Sequence, residues 1–414
     1  MKNAVAKFFR EASTSLQYKN IRLYCAGAVI SLFGSMMQES MIAWLAFKLT
    51  GSTAVLGTVM SAYMLPMIIA SIAGGYVADR FIGQRKRIVL ITQALALTIA
   101  LTYAFTAATD LLSLTVIYSL SAALGVTVAF EMASRMALLP NLVDKPEHIG
   151  NAFALDSLIF YTCRLCGPAV GSILLVTVSP AWGFALNATS YVLEIIFLSR
   201  LRPTAPAAAE GGQAQKKPGL IDALRFAYGD ARRRRVMVLL SVTTFFGVYL
   251  QLMPAFTAAR QGTALTNGFL ILASELGAVV ASLLIANKLS NASRIGFLRR
   301  SLGFAGVLFS LCLAAFAATH QVWLSMLLMA PVGFTMSAIF SGAQAVLQTE
   351  VEDRMRGAFT AMFYNFAYFG MLALGGPVLG YMAAAYGLTV TTCGAAACCL
   401  IASIHYLCNT DKGN

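Results

Sequence analysis

The segment Gly167-Pro168-Ala169-Val170-Gly171 recurs 209 residues later as Gly376-Pro377-Val378-Leu379-Gly380. Each copy lies inside a long apolar run, so we expect both on membrane helices at equivalent places in a repeated unit. A second pair of segments has nearly the same offset, because Ala78-Asp79-Arg80-Phe81 aligns with Ala286-Asn287-Lys288-Leu289, 208 residues later. Two matches at nearly one offset predict two halves of parallel topology, the plan of two-lobed secondary transporters.

The overall composition places the chain in a membrane. Of its 414 residues, 58% are hydrophobic and 11% are charged, whereas soluble proteins average about 45–50% apolar and about 25% charged residues. At about 20 residues per span, twelve helices use about 240 residues, which excludes large soluble domains. The predicted spans are 23–47, 54–77, 88–109, 112–138, 149–177, 181–199, 236–258, 266–287, 301–319, 322–348, 357–383 and 388–408.

The predicted fold class is therefore an all-α membrane protein, with twelve transmembrane helices in two pseudo-symmetric six-helix lobes. The expected parts are a cytoplasmic amino-terminal segment (1–22), two lobes (23–199 and 236–408), a cytoplasmic linker with an amphipathic helix (200–235) and a cytoplasmic tail (409–414). In the linker, Ile221, Leu224 and Tyr228 share one face of a short helix. We expect this helix to lie on the anionic inner leaflet.

The basic residues predict the orientation. With the amino terminus inside, the predicted inner segments hold 26 of the 30 Lys and Arg residues, and the outer connections hold only Lys48 and Arg260. This positive-inside pattern predicts a multi-pass protein of the cell inner membrane with both termini in the cytoplasm. It also explains the net charge of +13 without a nucleic-acid partner. The three tryptophans, Trp44, Trp182 and Trp323, all fall at predicted outer interfaces.

The eight cysteines lie in or beside apolar runs, where a free thiol behaves as a small hydrophobic group. Cys163 and Cys166 form a Cys-x-x-Cys pair, but no second pair and no histidine accompanies them on the predicted helix. We therefore predict no disulfide framework, no metal site and no bound cofactor.

The loop after the second predicted helix carries a further motif. Residues 75–86 read Gly-Tyr-Val-Ala-Asp-Arg-Phe-Ile-Gly-Gln-Arg-Lys and resemble the signature loop of the major facilitator superfamily, with one inserted residue at Ile82. The positions that match are Gly75, Asp79, Arg80 and Gly83. Further segments are similar to the branch of this superfamily that includes enterobactin exporters, and they are 49–52, 139–143, 164–171 and Gln348 with 353–357. The resemblance covers nearly the whole chain.

The resemblance implies an inner gate that latches the cytoplasmic ends of the two lobes. Asp79 would be its centre, with Arg135 and the start of helix eleven near Gly357 as partners. The residues assigned to this gate are Gly75, Asp79, Arg80, Gly83, Glu131, Arg135 and Arg356. The alternative is a topogenic cluster. On either reading, Arg85, Lys86 and Arg87 are expected to pin the loop to the lipid headgroups.

The paired Gly-Pro-x-x-Gly segments also have two readings. Proline in a membrane helix frees a carbonyl group and permits a bend, and small residues let helices approach closely. The copy on helix five resembles a motif associated with antiporters of this superfamily. The predicted helix-bend motif comprises Gly167, Pro168, Gly171, Gly376, Pro377 and Gly380. Pure helix packing is the alternative.

Seven charged residues lie within the predicted spans, where each charge costs at least about 2.5 kcal/mol. They are Glu39, Glu131, Arg135, Asp156, Arg164, Glu194 and Glu275. A lone buried carboxylate favours its protonated form, as proton coupling requires, whereas a paired carboxylate stays ionised. Glu39, Glu275 and Asp156 are the candidate proton-coupling residues. Glu194, near the inner end of helix six, is expected to snorkel toward Arg200.

The cargo site is predicted from depth and residue type. At about 1.5 Å per residue, Glu39 and Arg164 lie at a similar depth, so Arg164 either neutralises Glu39 or binds an anionic group of the cargo. The candidate substrate-binding residues are Arg164, Tyr161, Tyr249, Tyr364, Tyr368 and Asn365, with Phe363 as a further aromatic wall. Asn365 occupies the repeat position of Asp156, so the two lobes are chemically unequal.

These features predict a proton-coupled secondary transporter that exports a small amphipathic metabolite by alternating access. The resemblance implies a siderophore as cargo. Multidrug efflux, inward transport of the siderophore or metabolite, and lysophospholipid movement are the alternatives. An enzyme is disfavoured because the three histidines are far apart, and a primary pump because no Gly-x-x-x-x-Gly-Lys loop occurs. The expected partners are the lipid bilayer, the small-molecule substrate and protons, and we expect a monomer.

Overall fold

The computed structural model describes residues 14–203, 219–288, 295–352 and 355–410, and the regular elements within these ranges are all helices. Several predictions concern residues outside them. These are the predictions for 1–13, for 204–218 of the linker, for Leu289 of the second repeat, for Asp353-Arg354 and for 411–414.

The first half of the chain forms six long helices. They are α1 (Lys19–Thr50), α2 (Thr53–Arg80), α3 (Arg85–Ala108), α4 (Leu114–Leu138), α5 (Ile149–Thr177) and α6 (Pro180–Ser199). Local chemistry sets some of their starts. The Ser113 side chain accepts a hydrogen bond from the backbone N–H of Val116 at the start of α4, and Pro180 occupies the first turn of α6.

The second half comprises a linker helix and seven further helices. They are α7 (Leu220–Gly229), α8 (Ala231–Phe246), α9 (Met253–Ala259), α10 (Ala264–Lys288), α11 (Ile295–Ala318), α12 (Val322–Gln348), α13 (Arg356–Tyr386) and α14 (Leu388–Thr410). Asp230 caps α8, because its carboxylate accepts hydrogen bonds from the backbone N–H groups of Arg233 and Arg232. These hydrogen bonds hold the pKa of Asp230 below its ordinary value.

Eleven of the described helices are long and apolar enough to cross a bilayer, and α8 with α9 makes a twelfth span that bends by 47°. The predicted fold class is confirmed. Span seven differs from the single helix predicted over 236–258, because its bend lies between Leu250 and Met253 and its regular α-helix already ends before Gly247. A side chain there would strike the carbonyl oxygen of Thr243, and Pro254 in the first turn of α9 has no N–H to continue the earlier helix.

The chain divides into two compact units, residues 1–49 with 62–211 and residues 50–61 with 212–414. In the first unit, Ile21, Leu139 and Leu142 are completely buried in an apolar core that α1, α5 and α6 share. The second unit includes the first residues of α2, up to Ser61. Each unit has its own buried packing around the repeated glycine motif.

The first copy of the motif lies where α5 packs against α1. A β-carbon on Gly167 would lie 2.7 Å from the Met36 Cβ atom, and one on Gly171 would lie 2.8 Å from the Met37 carbonyl oxygen. Both distances are too short for a real side chain. Pro168 lies inside a helix that continues through it. The glycines therefore serve close helix packing in this unit.

The second copy, in α13, contacts two elements of the second unit. Gly376 lies against the Gln251 side chain, which follows α8, and a β-carbon on Gly380 would lie 2.7 Å from the carbonyl oxygen of Thr53 at the start of α2. The Thr53 hydroxyl donates to the Gly380 carbonyl at 2.9 Å, and the Ser61 hydroxyl donates to a carbonyl of α13 at 2.5 Å. Pro377 again lies inside a continuous helix. The role of the motif in bending stays a prediction.

The linker helix α7 packs on α13 through small and aromatic residues. Ala223 and Ala227 are completely buried, and the Phe226 ring meets the Phe359 ring edge to face, with 6.0 Å between centroids. Ile221 and Tyr228 lie on the exposed part of the helix. Contact of that part with the inner leaflet stays a prediction.

Candidate transport site

Two basic side chains hold the loop after α2. Arg85 donates to the carbonyl oxygens of Ala78 at 3.1 Å and Ala137 at 3.0 Å, near the ends of α2 and α4. Lys86 donates to the carbonyl oxygen of Leu201 at 2.8 Å, just after α6. Cations at these positions satisfy carbonyl groups and offset the negative ends of the helices. Arg85 and Lys86 thus bind three helix ends, where the sequence predicted contacts with headgroups.

The two glycines of the predicted gate are not closely packed. A β-carbon on Gly75 or Gly83 would meet no described atom within 4 Å. Arg80 donates to the Tyr76 hydroxyl at 3.3 Å, one turn earlier on α2. Arg356 is exposed at the start of α13. The latch centred on Asp79 stays a prediction.

Arg135, the partner of Asp79 in that prediction, belongs to a buried charge network of the first unit. Its Nη2 atom donates to Glu131 Oε1 at 2.7 Å and to Glu194 Oε1 at 2.5 Å. Glu194 is completely buried, so the expectation that it snorkels toward Arg200 is wrong. The reason is that α4 presents a guanidinium to α6 inside the helix bundle, and a charge-assisted hydrogen bond there replaces contact with water.

Helices α1 and α5 extend this network. The Tyr24 hydroxyl donates to Asp156 Oδ1 at 2.6 Å, and the Arg135 Cζ atom lies 5.6 Å from the centre of the Tyr24 ring. Asp156 is 8% exposed. We call Tyr24, Glu131, Arg135, Asp156 and Glu194 the charge network. Sequence reasoning missed Tyr24 because nothing in its local pattern distinguishes it from other membrane tyrosines.

Close packing of α1 on α6 fixes the position of Glu194. A β-carbon on Gly27 would lie only 3.3 Å from Glu194 Cγ. Farther along the same contact, the Asn187 amide donates to Gln38 Oε1 at 2.9 Å. The glycine and the amide pair together bring α6 close enough to place Glu194 beside Arg135.

The other predicted charged residues have different surroundings. Glu39 is exposed on α1, although its neighbours Gln38 and Ser40 are buried, and Arg164 is half-buried on α5. Glu275 is buried on α10. The pairing of Glu39 with Arg164, and proton coupling by Glu39 and Glu275, stay predictions.

The second unit carries a cluster of aromatic rings on α12 and α13. The centroid of the Phe340 ring lies 4.5 Å from that of Tyr368, 5.4 Å from that of Phe363 and 5.5 Å from that of Tyr364. We call these four residues the aromatic cluster. The Tyr364 hydroxyl donates to Gln344 Oε1 at 3.4 Å. Phe340 and Gln344 were not predicted, because neither a charge nor a motif marks them in the sequence.

The aromatic cluster is built on an irregular helical segment. Residues Phe363–Gly370 of α13 form a π-helix, which turns side chains away from their regular positions and is frequent at functional sites. The segment contains Asn365, whose repeat counterpart Asp156 lies on a regular α-helix. The predicted inequality of the halves therefore includes the backbone as well as the charges.

The other two predicted aromatic residues lie apart from this cluster. Tyr161 is 38% exposed on α5 of the first unit. Tyr249 is buried in the second unit, where its hydroxyl lies 3.0 Å from Ser274 Oγ and its ring lies 6.2 Å from that of Phe309. Of the predicted aromatic wall, Phe363, Tyr364 and Tyr368 are brought together.

The sequence is similar to known transporters over most of its length. The model of the transmembrane secretion effector family matches residues 12–412. The enterobactin exporter of Shigella boydii is 26% identical over 338 residues, which cover 78% of each chain. The staphyloferrin A transporter of Staphylococcus aureus is 21% identical over 392 residues, which cover 93% of this chain and 96% of that relative.

Solved structures share the fold. A bacterial homologue of the human lysosomal transporter Spinster superposes with a TM-score of 0.76 at 12% identity, covering 95% of this chain and 97% of that one. The nucleoside transporter NupG superposes with a TM-score of 0.74 at 15% identity, covering 96% and 100%. These relatives and neighbours are transporters and not enzymes. The chain is a multi-pass membrane transporter, and it belongs to the transmembrane secretion effector family of the major facilitator superfamily.

Proposed function

We propose that this protein exports a siderophore across the cell inner membrane in exchange for entering protons. The observation that carries the proposal is the charge network of the first unit, in which one guanidinium contacts two carboxylates and Tyr24 links a third, Asp156, to the network. Buried carboxylates in excess of cations favour protonation. The enterobactin exporter and the staphyloferrin A transporter among the relatives support a siderophore as the cargo.

Features of both units suit an amphipathic anion. The guanidinium of Arg164 on α5 is always charged and offers paired donors to an acidic group. In the second unit, Phe340, Tyr364 and Tyr368 are only partly buried, and their rings favour stacking on planar groups. We assign cargo binding to these residues, together with Asn365 in the same π-helical segment.

We propose that both termini lie in the cytoplasm, because the basic residues follow the positive-inside pattern. We also propose that the protein acts as a monomer. Multidrug efflux is the second candidate function. The aromatic cluster favours it, because rings bind hydrophobic cations and neutral compounds without an anionic group.

Transport into proteoliposomes tests the proposal. Purified protein is reconstituted without ATP, and uptake of enterobactin, staphyloferrin A and ethidium is followed after a pH step. Proton exchange predicts that a siderophore accumulates when the interior is acidic. Accumulation only with an alkaline interior would indicate co-transport and inward movement instead, and accumulation of ethidium alone would support drug efflux. Uptake that merely equilibrates would contradict secondary active transport.

Conservative substitutions test the predicted coupling residues. Glu39→Gln, Glu275→Gln and Asp156→Asn keep size and polarity but remove the titrating group. We expect at least one of them to abolish the dependence of transport on the pH step while cargo binding persists. If all three still concentrate cargo at the full rate, coupling by these residues is excluded.

A further inference from the structure

The charges in the first unit do not balance. Arg135 hydrogen-bonds both Glu131 and Glu194, so one guanidinium serves two carboxylates, and Asp156 lies one tyrosine farther along the same network. The Glu131 side chain is 13% exposed, that of Arg135 is 6% exposed and that of Glu194 is 0% exposed. Removing an ion from water costs several kcal/mol. An excess anion in this place therefore needs an explanation.

The hydrogen-bond geometry brings the two glutamates together. Both Oε1 atoms contact the same nitrogen, Nη2 of Arg135, at 2.7 and 2.5 Å. The two oxygens thus lie no farther apart than the sum of these distances. Nε and Nη1 of Arg135 have no hydrogen-bond partner among the described residues, so the guanidinium does not pair with the two carboxylates through separate nitrogens. Two carboxylates this close repel each other when both are ionised.

A second observation concerns the far oxygen of Glu194. Its Oε2 atom is buried and has no hydrogen-bond partner in the described part of the chain. An ionised carboxylate in an apolar interior needs donors on both oxygens to offset the loss of water. A β-carbon on Gly27 would lie only 3.3 Å from Glu194 Cγ, so α1 is close and the side chain has little room to turn toward water.

Among the described residues, Arg135 is the cation that pairs with the two glutamates. The side chains that lie next to Glu131, Arg135 or Glu194 from α1, α2, α3 and α6 are neutral, and further groups lie beyond them. They are Tyr24, Tyr63, Gln93 and Tyr191, then Asp156 and Cys25 beyond Tyr24, and Glu39 beyond Tyr63.

We propose that Glu131, Arg135 and Glu194 form a proton-binding site, in which the two carboxylates share one proton and the guanidinium stays charged. The proton comes from water and converts one carboxylate into a carboxylic acid, so the net charge of the three groups changes from −1 to 0. The site is distinct from Glu39, Glu275 and Asp156. The inference rests on the proposed function only for the use of the proton in transport, and its geometry is independent of cargo and direction.

Infrared spectroscopy of the purified protein in lipid nanodiscs tests the site directly. A protonated carboxyl group has a C=O stretch that is separate from the carboxylate bands and shifts in D₂O. We expect this site to contribute one such band per molecule at neutral pH. Glu131→Gln and Glu194→Gln should each remove it, because the remaining glutamate then forms a balanced pair with Arg135. Glu350→Gln is the matched control, since Glu350 pairs with Arg299 and Arg233 in the second unit, and it should leave the band unchanged.

The outcomes separate this inference from the proposed function. Loss of the band in only one of the two glutamine variants would show an ordinary lone acid and overturn the shared site. Persistence of the band in both variants, or its absence from the wild type, would also overturn it, even where transport is proton-driven. Conversely, a band that both substitutions abolish upholds the site even if transport is independent of the pH gradient. Each single variant keeps a one-to-one ion pair, so we expect both to fold, which size-exclusion profiles will verify.

Discussion

The two halves of this transporter share a scaffold but differ in their buried chemistry. In the first unit, the interior between α4 and α6 holds Glu131, Arg135 and Glu194. The second unit instead has the aromatic cluster around Phe340 on α12. At a repeat offset of 208 or 209, the positions opposite Glu131 are Ile339 or Phe340, and those opposite Arg135 are Ala343 or Gln344, all uncharged.

The two units therefore share the packing of the repeated glycine motif but differ in their buried charged residues. Gly171 in α5 and Gly380 in α13 both lie against a backbone carbonyl of a neighbouring helix. The charged residues are not repeated with the glycines, since the counterpart of Asp156 is the uncharged Asn365. We propose that the charge network of the first unit binds protons and that the aromatic cluster of the second unit stacks on the cargo.

The largest effect should follow removal of the guanidinium from the charge network. Arg135→Leu leaves two buried carboxylates without a cation, and we expect a loss of about 3–5 kcal/mol in the free energy of unfolding at neutral pH. Arg299→Leu in the second unit breaks a partly exposed pair with Glu350 and should cost about 1 kcal/mol or less. Denaturant titration in mixed micelles measures both. Similar losses in the two variants would contradict the claim that the buried charge network depends more on its cation than the partly exposed pair does.

A smaller loss should follow Tyr24→Phe. The substitution keeps the ring near Arg135 but removes the hydroxyl that donates to Asp156 at 2.6 Å. A hydrogen bond to a charged group contributes about 1.5–3 kcal/mol. Tyr249→Phe removes a hydroxyl that lies 3.0 Å from Ser274 Oγ, and this neutral bond should be worth about 0.5–1.5 kcal/mol. Equal effects in the same unfolding assay would argue that the Tyr24 bond has no charged partner.

The shared scaffold predicts similar effects in both halves. Gly171→Val and Gly380→Val each force a side chain against a backbone oxygen, at 2.8 Å from Met37 and 2.7 Å from Thr53. Overpacking of this kind costs about 1–3 kcal/mol. Gly150→Val is the control, because no described atom lies within 4 Å of its β-carbon position. A cost in one half only would show that the two copies of the motif have different roles.

The smallest expected effect is on cargo affinity. Phe340→Ala and Tyr368→Ala remove rings 4.5 Å apart, and an aromatic contact is worth about 0.5–1.5 kcal/mol, or about a twofold to tenfold rise in Kd. Phe366→Ala is the matched control on the same π-helical segment, since Phe366 is exposed and outside the aromatic cluster. Binding of enterobactin by quenching of tryptophan fluorescence provides the measurement. Equal effects of Phe366→Ala and Phe340→Ala on Kd would contradict the assignment of the aromatic cluster to cargo binding.

The fold could be predicted from the sequence because two strong signals agree. Apolar runs of about 20 residues mark spans, and the repeat of the glycine motif orders them into halves. Gly247 and Pro254, which break span seven, are visible in the sequence, but their effect depends on the Thr243 carbonyl and on packing. The π-helical segment at 363–370 has no sequence signature at all.

The candidate site was harder to predict, because depth along a helix does not determine which way a side chain points. The pair of Glu131 and Arg135 followed from helical spacing. The contact with Glu194 did not, since it depends on how closely α6 approaches α1 beside Gly27. Phe340 belongs to the aromatic cluster only because α12 packs against α13, and the sequence does not specify that contact.

The number of protons moved per cargo molecule tests most directly the separate roles proposed for the charge network and the aromatic cluster. It is measured in proteoliposomes with an internal pH dye and labelled siderophore, for the wild type, Glu194→Gln and Phe340→Ala. We predict that Glu194→Gln lowers the proton-to-cargo ratio with unchanged cargo affinity, and that Phe340→Ala weakens affinity with an unchanged ratio. If Phe340→Ala lowers the ratio, or Glu194→Gln weakens affinity without lowering it, the account is contradicted.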